Sequence, residues 1–118
     1  PCLRRVRALE KAGYLTGYHA DVDSAKLGFT VTVFAMVGLH SQADKDLQAF
    51  EELVRSWPEV RECHMLNGDI DFILKCVSED LSSFQMFLTQ KLTPAPNVAN
   101  VKTSLTIRQT KKQSGVPL

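Results

Sequence analysis

An α+β domain, with a four-stranded antiparallel sheet and two helices on one of its faces, is the fold the sequence predicts. Three observations carry it. Strand-like runs, clearest where apolar and polar residues alternate, fall at 29–39, 60–66, 72–77 and 101–107. Two stretches with apolar residues at helical spacing, 47–57 and 81–92, lie between them. Asn67-Gly68 separates the second and third runs, and Asn-Gly in that position is the strongest short-range hairpin signal, because both residues tolerate the positive φ of a tight turn.

The elements follow in order. Residues 2–12 read as the end of a helix, with Cys2, Val6 and Leu9 on one face and Arg4, Arg7 and Lys11 opposite. Gly13 is its natural stop. A short strand is predicted over 14–22, interrupted at Gly17, followed by a connection to Gly28. In the run 29–39, Val31, Val33, Ala35, Val37 and Leu39 share one parity and Thr30, Thr32, Phe34 and Met36 the other. Ser41-Gln-Ala-Asp44 resembles a capping box with Asp in the final position. It introduces Leu47, Phe50, Val54 and Trp57 on one helical face, closed by Pro58. The hairpin around Gly68 comes next. Asp80 is a candidate N-cap for a second helix with Leu81, Phe84, Leu88 and Leu92 on one face, ended by Pro94-Ala95-Pro96. Val101, Thr103, Leu105 and Ile107 then alternate with polar residues as the last strand, and the polar segment 109–118 is expected to fray. From Phe29 onward the order β-α-β-β-α-β is the split βαβ, or ferredoxin-like, pattern. Both helices then cover one sheet face. The other carries Phe34 and Met36, which a lone subunit exposes, so a homodimer packed sheet against sheet, or joined at an edge, is expected.

Composition narrows the function classes. The 118 residues suit one domain, and 44% hydrophobic with 23% charged residues fits a globular chain. No apolar run approaches the ~20 residues of a membrane span, and no secretory leader pattern opens the chain, which points to the cytoplasm. Three cysteines, Cys2, Cys63 and Cys76, lack metal-ligand spacing and read as free thiols in a reducing compartment. No cofactor or metal is expected. The charge is segregated: residues 1–11 carry a net +3, residues 12–80 a net −7 and residues 81–118 a net +5. Basic ends could meet an anionic polymer, although a solvated face is the commoner reason for any one patch. The chain opens at Pro1 without an initiating Met, which suggests a shortened N-terminus.

The turn Asn67-Gly68-Asp69-Ile70-Asp71 is the candidate binding site. Gly68 lets a ligand approach the backbone, N–H groups there could hold a carboxylate, and Asp69 or Asp71 could accept from an ammonium group. The same residue types also fill ordinary turns. Enzyme chemistry finds little support. His19, His40 and His64 are scattered, and Cys63 and His64, as neighbours on a strand, point to opposite faces.

The strings PCLRRVRALEKAGY at 1–14, Gly17-Tyr18, and VRECHMLNGDID at 60–71 resemble the leucine-responsive, or feast/famine, transcription regulators of the Lrp/AsnC family, and the resemblance covers essentially the whole chain. It implies an N-terminal helix-turn-helix, a linking strand and a βαββαβ domain, the RAM domain, for amino-acid effectors. Residues 1–13 would be the tail of the recognition helix, 14–28 the linking strand and connection, 29–112 the effector-binding and oligomerisation domain, and 113–118 a tail. It further implies a non-enzymatic, cytoplasmic, bacterial regulator whose dimers assemble further, often to octamers. The effector would bind at Asn67, Gly68, Asp69, Ile70 and Asp71, with Ser104, Leu105 and Thr106 on the facing end of the last strand as a second wall. The first helices of the helix-turn-helix are absent from the sequence, so Arg4, Arg5 and Arg7 remain for phosphate contact and DNA binding by this chain should be poor. The competing readings are a stand-alone small-molecule or assembly module without a DNA-binding head, and a small dimeric ferredoxin-like enzyme.

Overall fold

A computed structural model describes residues 28–117. The expected helix end at 2–12 with Arg4, Arg5, Arg7 and Cys2, and the expected linking strand at 14–22, lie outside the described residues. The element order is β1 (Val31–Leu39), α1 (Asp44–Arg55), β2 (Val60–Met65), β3 (Phe72–Ser78), α2 (Leu81–Phe87, continued by a π-helical turn, Leu88–Leu92) and β4 (Val98–Leu105). The sheet order is β2-β3-β1-β4, and every neighbouring pair is antiparallel. This is the predicted α+β, ferredoxin-like arrangement.

Alternation in β1 decides the layers. Val33, Ala35, Val37 and Leu39 are buried, together with Phe72, Leu74 and Cys76 from β3. Phe50 and Val54 of α1, Trp57, and Phe84, Phe87 and Leu92 of the second helical segment complete one cluster on that face. An aromatic chain runs through it. Phe72 meets Phe50 at 5.0 Å, Phe50 meets Trp57 at 6.4 Å, and Trp57 meets Phe87 edge-on at 5.5 Å. Offset and edge-on rings add to the burial each side chain already contributes. Among the described residues, the thiols of Cys63 and Cys76 are held protonated at neutral pH. Desolvation, with Glu59 beside it, pushes the buried Cys76 up to about 12. Desolvation of the sulfur, with Glu51 nearby, pushes Cys63 up to about 11. Cys63 lies on the edge strand β2, so the residue is exposed although α1 shields its sulfur on one side.

The opposite face carries Phe34 and Met36 with Ile73, Lys75 and Val77 of β3, Glu62 and His64 of β2, and Lys102 and Ser104 of β4, as the strand registers require. Phe34 and Met36 are half-buried rather than fully open, since neighbours on the same face already shield them. Glu62 lies 3.2 Å from His64 and 3.6 Å from Lys75. The hydrogen bond with His64 holds the Glu62 carboxyl below its ordinary range, and Lys75 adds to this.

Four local readings need correction. Helix α1 begins after Ala43, not at Ser41. The Ser41 backbone is held outside the helix by Asn97, so its hydroxyl instead donates to Asp46 Oδ2 (2.6 Å). In the second helix the buried line is Phe84, Phe87 and Leu92, while Leu81 is exposed. The π turn, closed by Thr93 N–H to Leu88 C=O at 2.9 Å, adds a residue to that turn, so Phe87 and Leu92, five apart, both face inward; Leu81 lies upstream of it in the first turn. β4 ends at Leu105 and Ile107 is exposed, because β1 starts at Val31 and offers no partner beyond the Thr106 N–H to Thr32 C=O bond. The β2–β3 hairpin forms, but neither Asn67 nor Gly68 has positive φ. The last ladder pair is Met65 with Phe72, which leaves six residues to reverse the chain rather than two.

Asn97, by contrast, does occupy the left-handed region, with φ 69°. Its side chain grips the Ser41 backbone from both sides, accepting from Ser41 N–H and donating to Ser41 C=O, each at 2.9 Å. Asn97→Ala should lose both bonds and strain the backbone, costing about 1–3 kcal/mol. Asn97→Gly keeps the backbone relaxed and should cost less. Urea unfolding of the pair measures this, and an Ala variant as stable as the parent would refute the clamp. Asp80, the predicted N-cap, accepts from Ser83 N–H at 2.7 Å, and that bond lowers its pKa. A depressed carboxylate stabilises the fold above its unfolded pKa and ceases to as pH falls through the folded value. Thermal melts should therefore show wild type losing ground to Asp80→Asn, a cap that does not titrate, as pH drops from neutral toward 3.

Candidate functional site

The turn at 66–71 is positioned from both sides. Leu66 N–H donates to Asp71 C=O at 2.9 Å and closes it, while Asp71 N–H donates to Val37 C=O at 3.0 Å and joins it to β1. The Asp71 carboxylate adds a third tie. Its Oδ2 accepts Leu39 N–H at 2.7 Å and Gln42 Nε2 at 3.3 Å. Gln42 Nε2 also donates to Leu39 C=O at 2.8 Å. A carboxylate receiving a backbone N–H is a strong acceptor. Asp71 thus fastens the turn to the end of the central strand.

Between these ties, the N–H groups of Asn67, Gly68, Asp69 and Ile70 have no hydrogen-bond partner among the described residues. Asp69 is exposed beside them, and Ile70 and Asp71 are half-buried. The loop 40–43 and the start of β4 are the neighbouring walls. His40 N–H donates to Asn97 C=O at 2.9 Å, and Asn97 holds Ser41 as described above. Gly38 belongs to this corner for a steric reason: a Cβ there would lie 2.9 Å from the Asn100 amide. At Gly68 a Cβ would meet nothing within 4 Å, and the φ is one any residue adopts. The subunit on its own does not need glycine at that position.

The predicted second wall does not face this turn within one chain. Ser104 pairs with Phe34 and Leu105 with Val33, while Thr106 bonds Thr32. These lie near the beginning of β1, whereas the turn lies at its end. Five residues of strand, roughly 17 Å, separate them. Chain direction is the reason. β3 and β4 both run against β1, so the loop entering β3 neighbours the entry to β4 and not its exit. Ser104 and Leu105 also point to opposite sheet faces. Leu39 and Gln42, which bond Asp71, and Asn97, which holds the preceding loop at Ser41, were not singled out from sequence as site residues. Asn97 carried a signal, since Asn after Pro94-Ala95-Pro96 suits a left-handed turn residue. Gln42 carried none.

A shallow groove of about 250 Å³ lies elsewhere, lined by Glu59, Ser83, Met86, Phe87, Gln90 and Lys91. Glu59 immediately precedes β2 and the turn follows it, so the groove is at the other end of that strand. The register puts Cys63 and His64 on opposite faces. Among the described residues no group of three His, Cys, Asp or Glu side chains is placed to hold a metal ion, and no helix is long and apolar enough to cross a membrane.

Residues 32–116 match the model of the Lrp/AsnC ligand binding domain. The chain is 51% identical over 111 residues to a leucine-responsive regulatory protein of Rhizobium meliloti, covering 94% of this chain and 71% of that one. It is 39% identical over its whole length to the Bkd operon transcriptional regulator of Pseudomonas aeruginosa, of which it covers 77%. Among solved structures it is similar to the transcriptional regulator NMB0573 of Neisseria meningitidis in complex with L-Met. That likeness has a TM-score of 0.78 at 29% identity and covers 99% of this chain and 75% of that one.

The open space at Gly68 predicts that Gly68→Ala leaves unfolding stability within about 0.5 kcal/mol of wild type. Denaturant titration checks this, and a loss above 1 kcal/mol would mean the turn has a tighter shape than described.

Proposed function

The chain belongs to the Lrp/AsnC family of transcriptional regulators, and on that premise we propose that residues 29–112 bind an amino-acid effector at the turn 67–71 and convert that binding into a change of subunit assembly. The family is one of regulators and not of enzymes. The observation that carries the proposal is the row of four N–H groups at 67–70, unpartnered among the described residues, beside exposed Asp69. An amino-acid carboxylate would accept from those N–H groups while its ammonium donates to the exposed carboxylate of Asp69. Leucine and methionine are the effectors to try first. One relative is named leucine-responsive, and one similar structure is an L-Met complex. Met65 and Leu66, exposed beside the turn, offer apolar surface to such side chains.

Assembly supplies the rest of the reading. Phe34 and Met36 would meet a second copy, giving a homodimer that joins others in a larger ring, up to an octamer. Ser104, Leu105 and Thr106 then reach a turn only from a neighbouring subunit. An effector held between subunits favours the assembled or the separated state by its difference in affinity for the two, and no more. Assembly sets how many DNA-binding heads act together, which changes avidity without new contacts. DNA contact would fall to a helix-turn-helix ending in Arg4, Arg5 and Arg7, in the cytoplasm.

Calorimetry with L-leucine and L-methionine tests the site. Wild type should bind at least one of them, and Asp69→Ala and Gly68→Val should each abolish the heat without lowering the melting temperature. Undiminished binding in both variants would remove the site from the turn. Sedimentation tests the assembly: wild type should be dimeric or larger at micromolar concentration, and Met36→Glu should shift it toward monomer. A monomeric wild type would refute the face-to-face pairing.

A further inference from the structure

We propose that Asp71 is a positioning residue, not a ligand acceptor, and that Gln42 and Asn97 act with it as a latch that gives the turn its binding shape. The proposal rests on the reading of the turn as the effector site. It departs from the simple expectation that both turn carboxylates serve the ligand's ammonium group.

The geometry separates the two acids. Asp69 is exposed and bonds to nothing among the described residues, so it is free to meet a cation. Asp71 is half-buried, and its Oδ2 already holds Leu39 N–H at 2.7 Å and Gln42 Nε2 at 3.3 Å. Pulling Asp71 toward a ligand would strip the Leu39 N–H of its acceptor at the buried end of β1, and an unmade bond there is costly. The better use of Asp71 is to stay where it is. With its own N–H on Val37 C=O and its C=O on Leu66 N–H, it fixes the C-terminal end of the turn at three points. The N–H groups of 67–70 are thereby presented in one orientation before any ligand arrives, and such preorganisation raises affinity by cutting the ordering cost of binding.

The latch extends beyond the turn. Gln42 Nε2 bridges Leu39 C=O and Asp71 Oδ2. The residue before it, Ser41, is gripped on both backbone groups by Asn97, and its hydroxyl bonds Asp46 in the first turn of α1. One polar path therefore runs from the entry of β4, through the loop before α1, to the turn. None of these three side chains needs to touch the ligand to control its site.

The test compares Asp71→Asn, Asp71→Ala and Gln42→Ala. Asn keeps an oxygen for Leu39 N–H but loses the charge. If Asp71 positions, Asp71→Asn should keep L-leucine or L-methionine affinity within about threefold, while Asp71→Ala and Gln42→Ala weaken it by about tenfold or more. If Asp71→Asn falls as far as Asp71→Ala, the carboxylate contacts the ligand and the proposal is overturned. Unchanged affinity in Gln42→Ala overturns the latch as well. A second readout needs no ligand. Amide exchange at Leu39 and the amide chemical shifts of 67–70 should change in Asp71→Ala and Gln42→Ala but hold in Asp71→Asn. If wild type binds neither amino acid, the effector reading fails while these amide signals still decide the latch. Turn shifts unmoved by Asp71→Ala would sink the latch whatever the calorimeter shows.

Discussion

Strand β1 is paired along both edges, so its side chains have two directions only, and the sequence assigns them without ambiguity. Val33, Ala35, Val37 and Leu39 go toward the helices, while Phe34 and Met36 go the other way. A slip of one residue would exchange the two sets and leave the aromatic chain from Phe72 to Phe87 without a surface to pack on. Register in the neighbouring strands follows from β1, and the corner where the turn is fastened exists because the end of β1 presents Val37 C=O and Leu39 N–H to it.

Most of that framework was legible because it rests on period. Alternation found the strands, helical spacing found Phe50, Val54 and Phe84, and Asp80 announced a helix start. What was not legible depends on contacts between residues far apart in sequence. Ser41 looks like an N-cap until Asn97, fifty-six positions away, takes hold of its backbone. Helical spacing placed Leu88 and Leu92 on the inner face correctly and Leu81 wrongly, and the π turn that brings Phe87 inward has no signature at the level of polar and apolar letters. Asn67-Gly68 marked a chain reversal correctly and its conformation wrongly. The reversal begins one residue sooner than a tight hairpin needs, and the longer loop relieves both residues of positive φ.

The site divides in the same way. The turn was visible as a motif, and its N–H groups at 67–70 lack partners among the described residues because only the outer pair, Leu66 with Asp71, closes the six-residue loop. Ser104, Leu105 and Thr106 stand away from the turn of their own subunit. Applying the antiparallel order to β4 separates them, since a strand that runs opposite to β1 leaves the sheet where β1 enters it. Asp71 illustrates a different limit. Its residue type suggested chemistry toward a ligand, and only the Leu39 and Gln42 distances reveal that one oxygen is already engaged in holding the chain.

Gly68 has neither crowding nor backbone geometry to account for it inside the subunit. A library randomised at that codon and sorted only for soluble, folded product would thus retain nearly every residue type. Any pressure to keep hydrogen there as the side chain has to come from something that arrives after folding, which makes the position a reporter of encounter and not of architecture.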